Sequence, residues 1–182
     1  VDDGIYILLK EVIDNSVDEY IMGYGKKIEI NIRGKRVRVR DYGRGIPLGK
    51  VIECVSVINT GAKYNDEVFQ FSVGLNGVGT KAVNALSKHF RVVSIRGKKY
   101  FEAVFSRGEL KSKRQGKSSK EADGTFIEFE PDEEIFGEYE FEEEFIEQRL
   151  WNYAYLNSGL EMKFGNQSYI SKHGLRDLLY AE

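Results

Sequence analysis

Ile5, Leu9, Val12, Ser16 and Tyr20 recur at intervals of three and four, so the opening stretch predicts an amphipathic helix running to about Met22 and stopping at Gly23 or Gly25, with Asp2 or Asp3 as its cap. On the same helix Glu11, Asn15 and Asp18 fall within one narrow polar arc. The period then changes from 3.6 to 2. Lys27–Ile32 and Lys35–Arg40 alternate apolar with charged residues and are joined by a tight turn at Arg33-Gly34, which predicts two antiparallel strands with one covered face. Asp41-Tyr-Gly-Arg-Gly-Ile-Pro47 breaks the pattern with two glycines and a proline. Val51 to Ile58 reads as a helix, although its Val and Ile content also suits a strand.

Thr60 to Val73 loses its period and predicts a loop, followed by Gly74-Leu-Asn-Gly-Val-Gly79 and a helix from Thr80 to His89. Strands are predicted at about Phe90–Arg96, Tyr100–Ser106 and Thr125–Glu130. Arg107 to Asp123, rich in Lys, Ser and Gly, predicts a flexible solvated loop with six basic residues, within reach of a phosphate-bearing partner only as the less favoured reading. A helix is expected from about Glu142 to Asn157, burying Phe145, Leu150, Trp151, Tyr155 and Leu156. A last hairpin about Gly165-Asn166 and a terminal helical turn from Leu175 complete the chain. Hairpin-paired strands with helices on one face give an α+β fold, a two-layer sandwich around a mixed, mostly antiparallel sheet. This arrangement weighs against a Rossmann or P-loop architecture.

Composition narrows the class. At 182 residues the chain predicts a single domain, and 11 Tyr with 11 Phe exclude a disordered tail. A formal charge of −2 gives no global argument for direct nucleic-acid binding. The one cysteine, Cys54, is read as a small core residue in a reducing, cytoplasmic setting, and no stretch is long and apolar enough to predict a membrane span.

Three stretches carry candidate chemistry. Glycines at 74, 77 and 79 let the backbone approach a ligand, and the helix that follows offers unpaired N–H groups to an anion such as a nucleotide phosphate. This spacing alone is weak evidence, and it is neither a Walker A loop nor a dinucleotide fingerprint. Asp41, at a strand end beside Gly43 and Gly45, can accept a hydrogen bond from a flat base, with Gly124-Thr125 adding a hydroxyl. Glu11 one turn from Asn15 pairs a carboxylate with an amide, a combination suited to water activation and metal binding. Arg44 with Glu19 is a possible ion pair at the rim, and Lys63 is placed to reach a phosphate. His89 and His173 build neither a metal set nor a catalytic triad.

Glu11-x-x-x-Asn15, Asp41-x-Gly43-x-Gly45, Gly74-x-x-Gly77-x-Gly79 and Gly124-Thr125, in that order, resemble the Bergerat-fold (GHKL) ATPases. Glu-Val-Ile-Asp-Asn-Ser-Val-Asp-Glu, Gly-Arg-Gly-Ile-Pro and Gly-Leu-Asn-Gly-Val-Gly look like the ATPase domain of bacterial type IIA topoisomerases, found in DNA gyrase and topoisomerase IV. The resemblance implies an ATP- and magnesium-binding domain whose closure drives DNA strand passage. Glu11 would be the general base and Asn15 the magnesium ligand. Asp41 would accept the adenine amine, helped by Gly45 and Thr125, with Ile46 and Pro47 on the ring. Gly77, Val78 and Gly79 would donate to the phosphates beneath a lid carrying Lys63. Arg44 and Glu19 match the pair at the pocket mouth, and Arg96 matches a position used by inhibitors. Another Bergerat-fold ATPase of the MutL type, or a nucleotide-binding module without catalysis, is the alternative.

Tyr42 departs from the acidic residue usual after the adenine aspartate, Asn76 stands where His is frequent, and the loop between Pro47 and Val51 is short. Relative to the family, the chain reads as a fragment without the N-terminal arm and the transducer domain. It is therefore expected to bind ATP, turn over slowly and stay monomeric, while a longer parent dimerises on ATP binding and meets DNA and a DNA-cleaving subunit through other parts.

Overall fold

The computed structural model describes residues 3–57, 79–117 and 120–181. Helix α1 spans Asp3–Ile21, as its apolar period requires, and Gly23 N–H donates back to Tyr20 O at 2.9 Å to close its end. Strands β1 (Lys27–Arg33) and β2 (Arg36–Asp41) follow, then a 3-10 turn at Leu48–Lys50 and α2 (Val51–Val55). Helix α3 (Gly79–Ala85) leads into β3 (Ser87–Arg96), β4 (Lys99–Ser106), β5 (Glu109–Lys117) and β6 (Gly124–Pro131). Then come α4 (Glu133–Phe136), α5 (Glu143–Leu156), the hairpin β7 (Glu161–Phe164) and β8 (Gln167–Tyr169), and α6 (Leu175–Tyr180).

Eight strands form one sheet in the order β5-β4-β3-β6-β2-β1-β7-β8. All neighbours are antiparallel except β1 and β7, whose parallel pairing makes the sheet mixed. Register lines up two apolar rows on the helix-facing side: Ile32, Val37, Phe129, Phe90 and Phe105, then Ile30, Val39, Ile127, Val92 and Ala103. Helix α1 buries Ile5, Leu8, Leu9, Val12 and Ile13 in the same core as these rows. The next row turns polar, with Asp41 at the end of β2 beside Thr125 and Ser94. The functional surface therefore continues the core's own register.

The opposite face of the sheet is open and charged. Glu128, only 4% exposed, pairs there with Arg38 at 2.6 Å and His89 at 2.8 Å, and Arg91 pairs with Glu102 at 2.8 Å. The histidine at 89 is thus structural.

Four expectations are corrected. Glu109–Lys117 is strand β5, hydrogen-bonded along β4 at the sheet edge. All nine residues are exposed, so no apolar alternation marks it, and the backbone ladder holds it together with an Arg114–Glu102 ion pair at 3.4 Å. The helix expected to reach His89 ends at Ala85, because Ser87–His89 already belong to the β3 ladder opposite Pro131 and Glu130. In α5 the buried side chains are Ile146, Leu150 and Ala154, spaced four apart, whereas Trp151 is 36% and Leu156 66% exposed. Trp151 instead stacks on Tyr155 and meets Tyr169 edge-on, along the outer side of the helix. Finally, Cys54 is exposed: Val51 and Val55 take the buried face of α2 and turn Cys54 outward.

Thr60 to Val73 and Gly74 to Val78, with Lys63, Asn76, Gly77 and Val78, lie outside the described residues, as does Asp2. Among the described residues no helix is long and apolar enough to cross a membrane.

Candidate functional site

A cavity of about 460 Å³ opens where the polar row of the sheet meets α1, α2 and the start of α3. Helix α1 supplies Val12, Asn15, Ser16 and Glu19, and β2 supplies Val39 and Asp41. Gly45 and Ile46 come from the following loop, Glu53, Cys54 and Val55 from α2, Thr80 and Lys81 from α3, and Thr125 and Ile127 from β6.

Asp41 forms the floor and is 6% exposed. Its Oδ1 accepts from Gly43 N–H at 3.0 Å and Thr125 N–H at 3.1 Å, and its Oδ2 accepts the Ser16 hydroxyl at 3.1 Å. Burial pushes this carboxyl above its ordinary value, against the pull of the Gly43, Thr125 and Ser16 hydrogen bonds. A carboxylate has room for about four hydrogen bonds, so among the described residues Oδ2 keeps one acceptor free on the cavity side. With Val12, Val39, Ile46, Val55 and Ile127 as walls, the floor suits a flat ring that presents an amine.

Beside the floor, the loop after β2 is laid across the end of β3. Ser94 Oγ–H donates to Ile46 O at 2.6 Å, and Gly45 has φ +78°. A Cβ at Gly45 would stand 2.7 Å from Ile95 O and 2.9 Å from Arg96 Cγ, so this position has neither the conformation nor the space for a side chain. The Arg96 stem is thereby placed against the loop. At the rim, Arg44 Nε donates to Glu19 Oε2 at 3.1 Å, and the Arg44 guanidinium lies 4.5 Å from the Tyr24 ring centroid. Pro47 is exposed and leads into the 3-10 turn.

At the other end, Glu11 packs against the first residue of α3: a Cβ on Gly79 would lie 2.7 Å from Glu11 Cδ. Burial raises the Glu11 carboxyl, Lys10 opposes the shift and Asp14 adds to it. A carboxylate with a raised pKa at the edge of a cavity is suited to accept a proton. Asn15 Nδ2–H donates to Thr80 Oγ1, and among the described residues no donor reaches the amide carbonyl oxygen. Asp14 has a different task, accepting from Lys10 at 2.6 Å and from Tyr153 Oη–H at 2.7 Å, and so tying α1 to α5. Among the described residues no group of three or more His, Cys, Asp or Glu could enclose a metal.

The structure thus gathers Asn15, Glu19, Asp41, Gly45, Ile46 and Thr125 on one cavity. Glu11, Gly79, Arg44, Pro47 and Arg96 are not in its lining, although Glu11 meets Gly79, Arg44 pairs with Glu19 and Arg96 packs near Gly45. Sequence reasoning misses Ser16, Cys54, Thr80 and Lys81. Ser16 falls within the buried stripe of α1, which is true of its position but hides its hydroxyl. Thr80 and Lys81 have a readable signal, since they open the helix directly after the glycine-rich stretch.

Comparison with known proteins shows the family and the fold. Residues 1–135 match the family described as histidine kinase-, DNA gyrase B- and HSP90-like ATPase. The chain is 61% identical over its whole length to the B subunit of DNA topoisomerase 4 from Borreliella burgdorferi, and covers 30% of that protein. It is 36% identical over 92% of its length to the B subunit of DNA gyrase from Thermus thermophilus, and covers 28% of that one. The crystal structure of the 43K ATPase domain of Thermus thermophilus gyrase B, in complex with an aminocoumarin, superposes with a TM-score of 0.79 at 33% identity, over 99% of this chain and 50% of the other. The chain belongs to the histidine kinase-, DNA gyrase B- and HSP90-like ATPase family.

Proposed function

We propose that the cavity binds ATP with magnesium, and that this domain is the ATP-hydrolysing part of a type IIA topoisomerase. The observation that carries the proposal is the Asp41 carboxylate, held by Gly43, Thr125 and Ser16 with one acceptor free among apolar walls. That acceptor takes the exocyclic amine of adenine, with Gly45 and Thr125 alongside and Ile46 and Pro47 against the ring. The triphosphate then runs along α1 toward the start of α3, where Gly79 donates its backbone N–H; by the resemblance, Gly77 and Val78 would donate theirs and Lys63 would belong to the lid. The roles of Gly77, Val78 and Lys63 rest on the resemblance alone.

Magnesium fits Asn15, whose carbonyl oxygen meets no hydrogen-bond donor among the described residues and is the hard donor this cation prefers. When bound, the ion offsets charge on the phosphates. Glu11 accepts the proton of the attacking water, a role favoured by its raised pKa. The Glu19–Arg44 pair closes the mouth, and Arg96 borders the same edge.

ATP binding in a longer form of the protein would close a dimer gate around DNA, in concert with a DNA-cleaving subunit. The domain described here would be cytoplasmic and monomeric, with low turnover. The test is Glu11→Gln in a longer, turnover-competent form: nucleotide affinity stays, and kcat falls by about 10² to 10⁴, the usual contribution of a general base. Unchanged hydrolysis would remove Glu11 from that role and leave a binding module.

A further inference from the structure

Arg40 stands on the open face of the sheet, directly behind the cavity floor, and is only 9% exposed despite its charge. Its Nη1–H donates to the Asp41 carbonyl oxygen, and its Nη2–H donates to the Ala122 carbonyl oxygen at 2.6 Å. The carboxylate of Glu121 is farther off, at 3.9 Å. The guanidinium lies over the Tyr42 ring, 4.3 Å from its centroid, and the Lys27 ammonium lies 4.9 Å from the same centroid. Tyr42 Oη–H donates to the Glu29 carboxylate. Arg40 is thus fixed in plane by a ring that is itself fixed by its hydroxyl.

The two carbonyls joined by this fork belong to the two chain segments that build the floor. Strands β2 and β6 pair as far as Arg40 and Phe126. Beyond that pair the strands are linked by the Asp41 side chain, which reaches Thr125 N–H on the cavity side. The guanidinium makes the corresponding link on the opposite side. Gly124, between Ala122 and Thr125, is pressed so close to the Asp41 carbonyl and to Arg40 Nη1 that no Cβ could be placed there. The separation of Asp41 from Thr125 is therefore set from behind the sheet as well as from in front.

We propose that Arg40, backed by Tyr42, is a positioning residue for base selectivity: its fork fixes Asp41 against β6 and so aims the free acceptor of the carboxylate at the exocyclic amine. The proposal rests on the adenine reading given above. Loosening the fork lets the carboxylate swing out of line, which weakens a directional hydrogen bond and leaves phosphate contacts at the far end untouched. A ligand without the amine should not notice the change.

The experiment compares the native chain with Arg40→Lys and Arg40→Met by calorimetric titration with a non-hydrolysable ATP analogue and its inosine counterpart, which carries a keto group in place of the amine. Lysine retains the charge and stem but cannot span two carbonyls. The ATP analogue should bind about tenfold more weakly to both variants, equivalent to about 1.4 kcal/mol, and the inosine analogue unchanged, so that their ratio falls about tenfold. Tyr42→Leu, which keeps the fork but removes its backing, should lower the same ratio less. An unchanged ratio in Arg40→Lys overturns the proposal, including the case in which both affinities fall together, and it does so even if Arg40→Met fails to fold. Failure of the native chain to prefer ATP over the inosine analogue is a separate result, which removes the adenine reading itself.

Discussion

Gly79→Ala separates folding from chemistry in one methyl group. Gly79 is the first residue of α3, and its backbone is helical, so alanine is conformationally acceptable there and slightly favoured over glycine. The space is not available. The new Cβ would stand 2.7 Å from Glu11 Cδ and 3.1 Å from Glu11 Cγ, whereas carbon atoms settle at about 3.5–4.0 Å. Helix α3 cannot easily retreat, because Thr80 is tied to Asn15 and Ala82 and Val83 are buried beneath it. Glu11 is partly exposed and gives way instead, by roughly 1 Å. With Glu11 as the general base proposed above, a displacement of that size costs on the order of 10² in rate, about 2.7 kcal/mol. Steady-state ATP turnover of a longer, active form should therefore fall about a hundredfold, while the melting temperature of this domain and its affinity for a non-hydrolysable ATP analogue stay close to native. Unchanged turnover, or turnover lost only in step with binding, would refute the reasoning.

Asp41→Asn keeps the size of the side chain and its capacity to accept from Gly43 and Thr125, but turns a donor toward the base. The ATP analogue should lose at least tenfold in affinity, consistent with a charge-assisted bond of about 1.5–3 kcal/mol, and the inosine analogue should gain, as read by calorimetry. Nucleotide affinity should also decline on acidification. Burial raises Asp41 above its ordinary value, and only the ionised form accepts the amine, so the decline begins at a higher pH than for an exposed aspartate. Asp132→Ala removes the cap of α4, whose side chain accepts from Glu134 N–H and is held below the usual carboxylate range first by the Arg107 hydrogen bond. Because the folded pKa is depressed, the stability this group contributes is present above the unfolded pKa and lost as pH falls through the folded one. The variant should be less stable than native by about 1 kcal/mol at pH 7, and the difference should vanish in acid denaturation. Leu150→Ala, at a fully buried position of α5, should cost about 2–5 kcal/mol in chemical unfolding.

What can be read from the chain depends on whether a residue's surroundings repeat with its own secondary-structure period. Ile28, Ile30, Val37 and Val39 alternate because one sheet face is covered, and α1 shows a 3.6 period because one side is buried, so these elements are legible. Strand β5 has two wet faces and a single neighbour, so nothing in Glu109–Lys117 distinguishes it from a loop. The boundary between α3 and β3 is hidden because Ser87, Lys88 and His89 suit either state, and pairing with β6 decides it. In α5, aromatic bulk does not mean burial: Trp151 packs along the outside while the small Ala154 lies inside. Asp41, Gly45, Asn15 and Glu11 are legible as motif positions, since each occupies a place where only a few residue types serve. Ser16 and Arg40 are not, because their roles arise from contacts across 25 and 82 residues of sequence.

The claim that this cavity is an adenine-nucleotide site is tested most directly by calorimetric titration of the native chain and Asp41→Ala with a non-hydrolysable ATP analogue, with and without magnesium. The native chain should bind, more tightly with magnesium, and Asp41→Ala should bind at least tenfold more weakly. No binding by the native chain, or equal binding by both, would contradict the account.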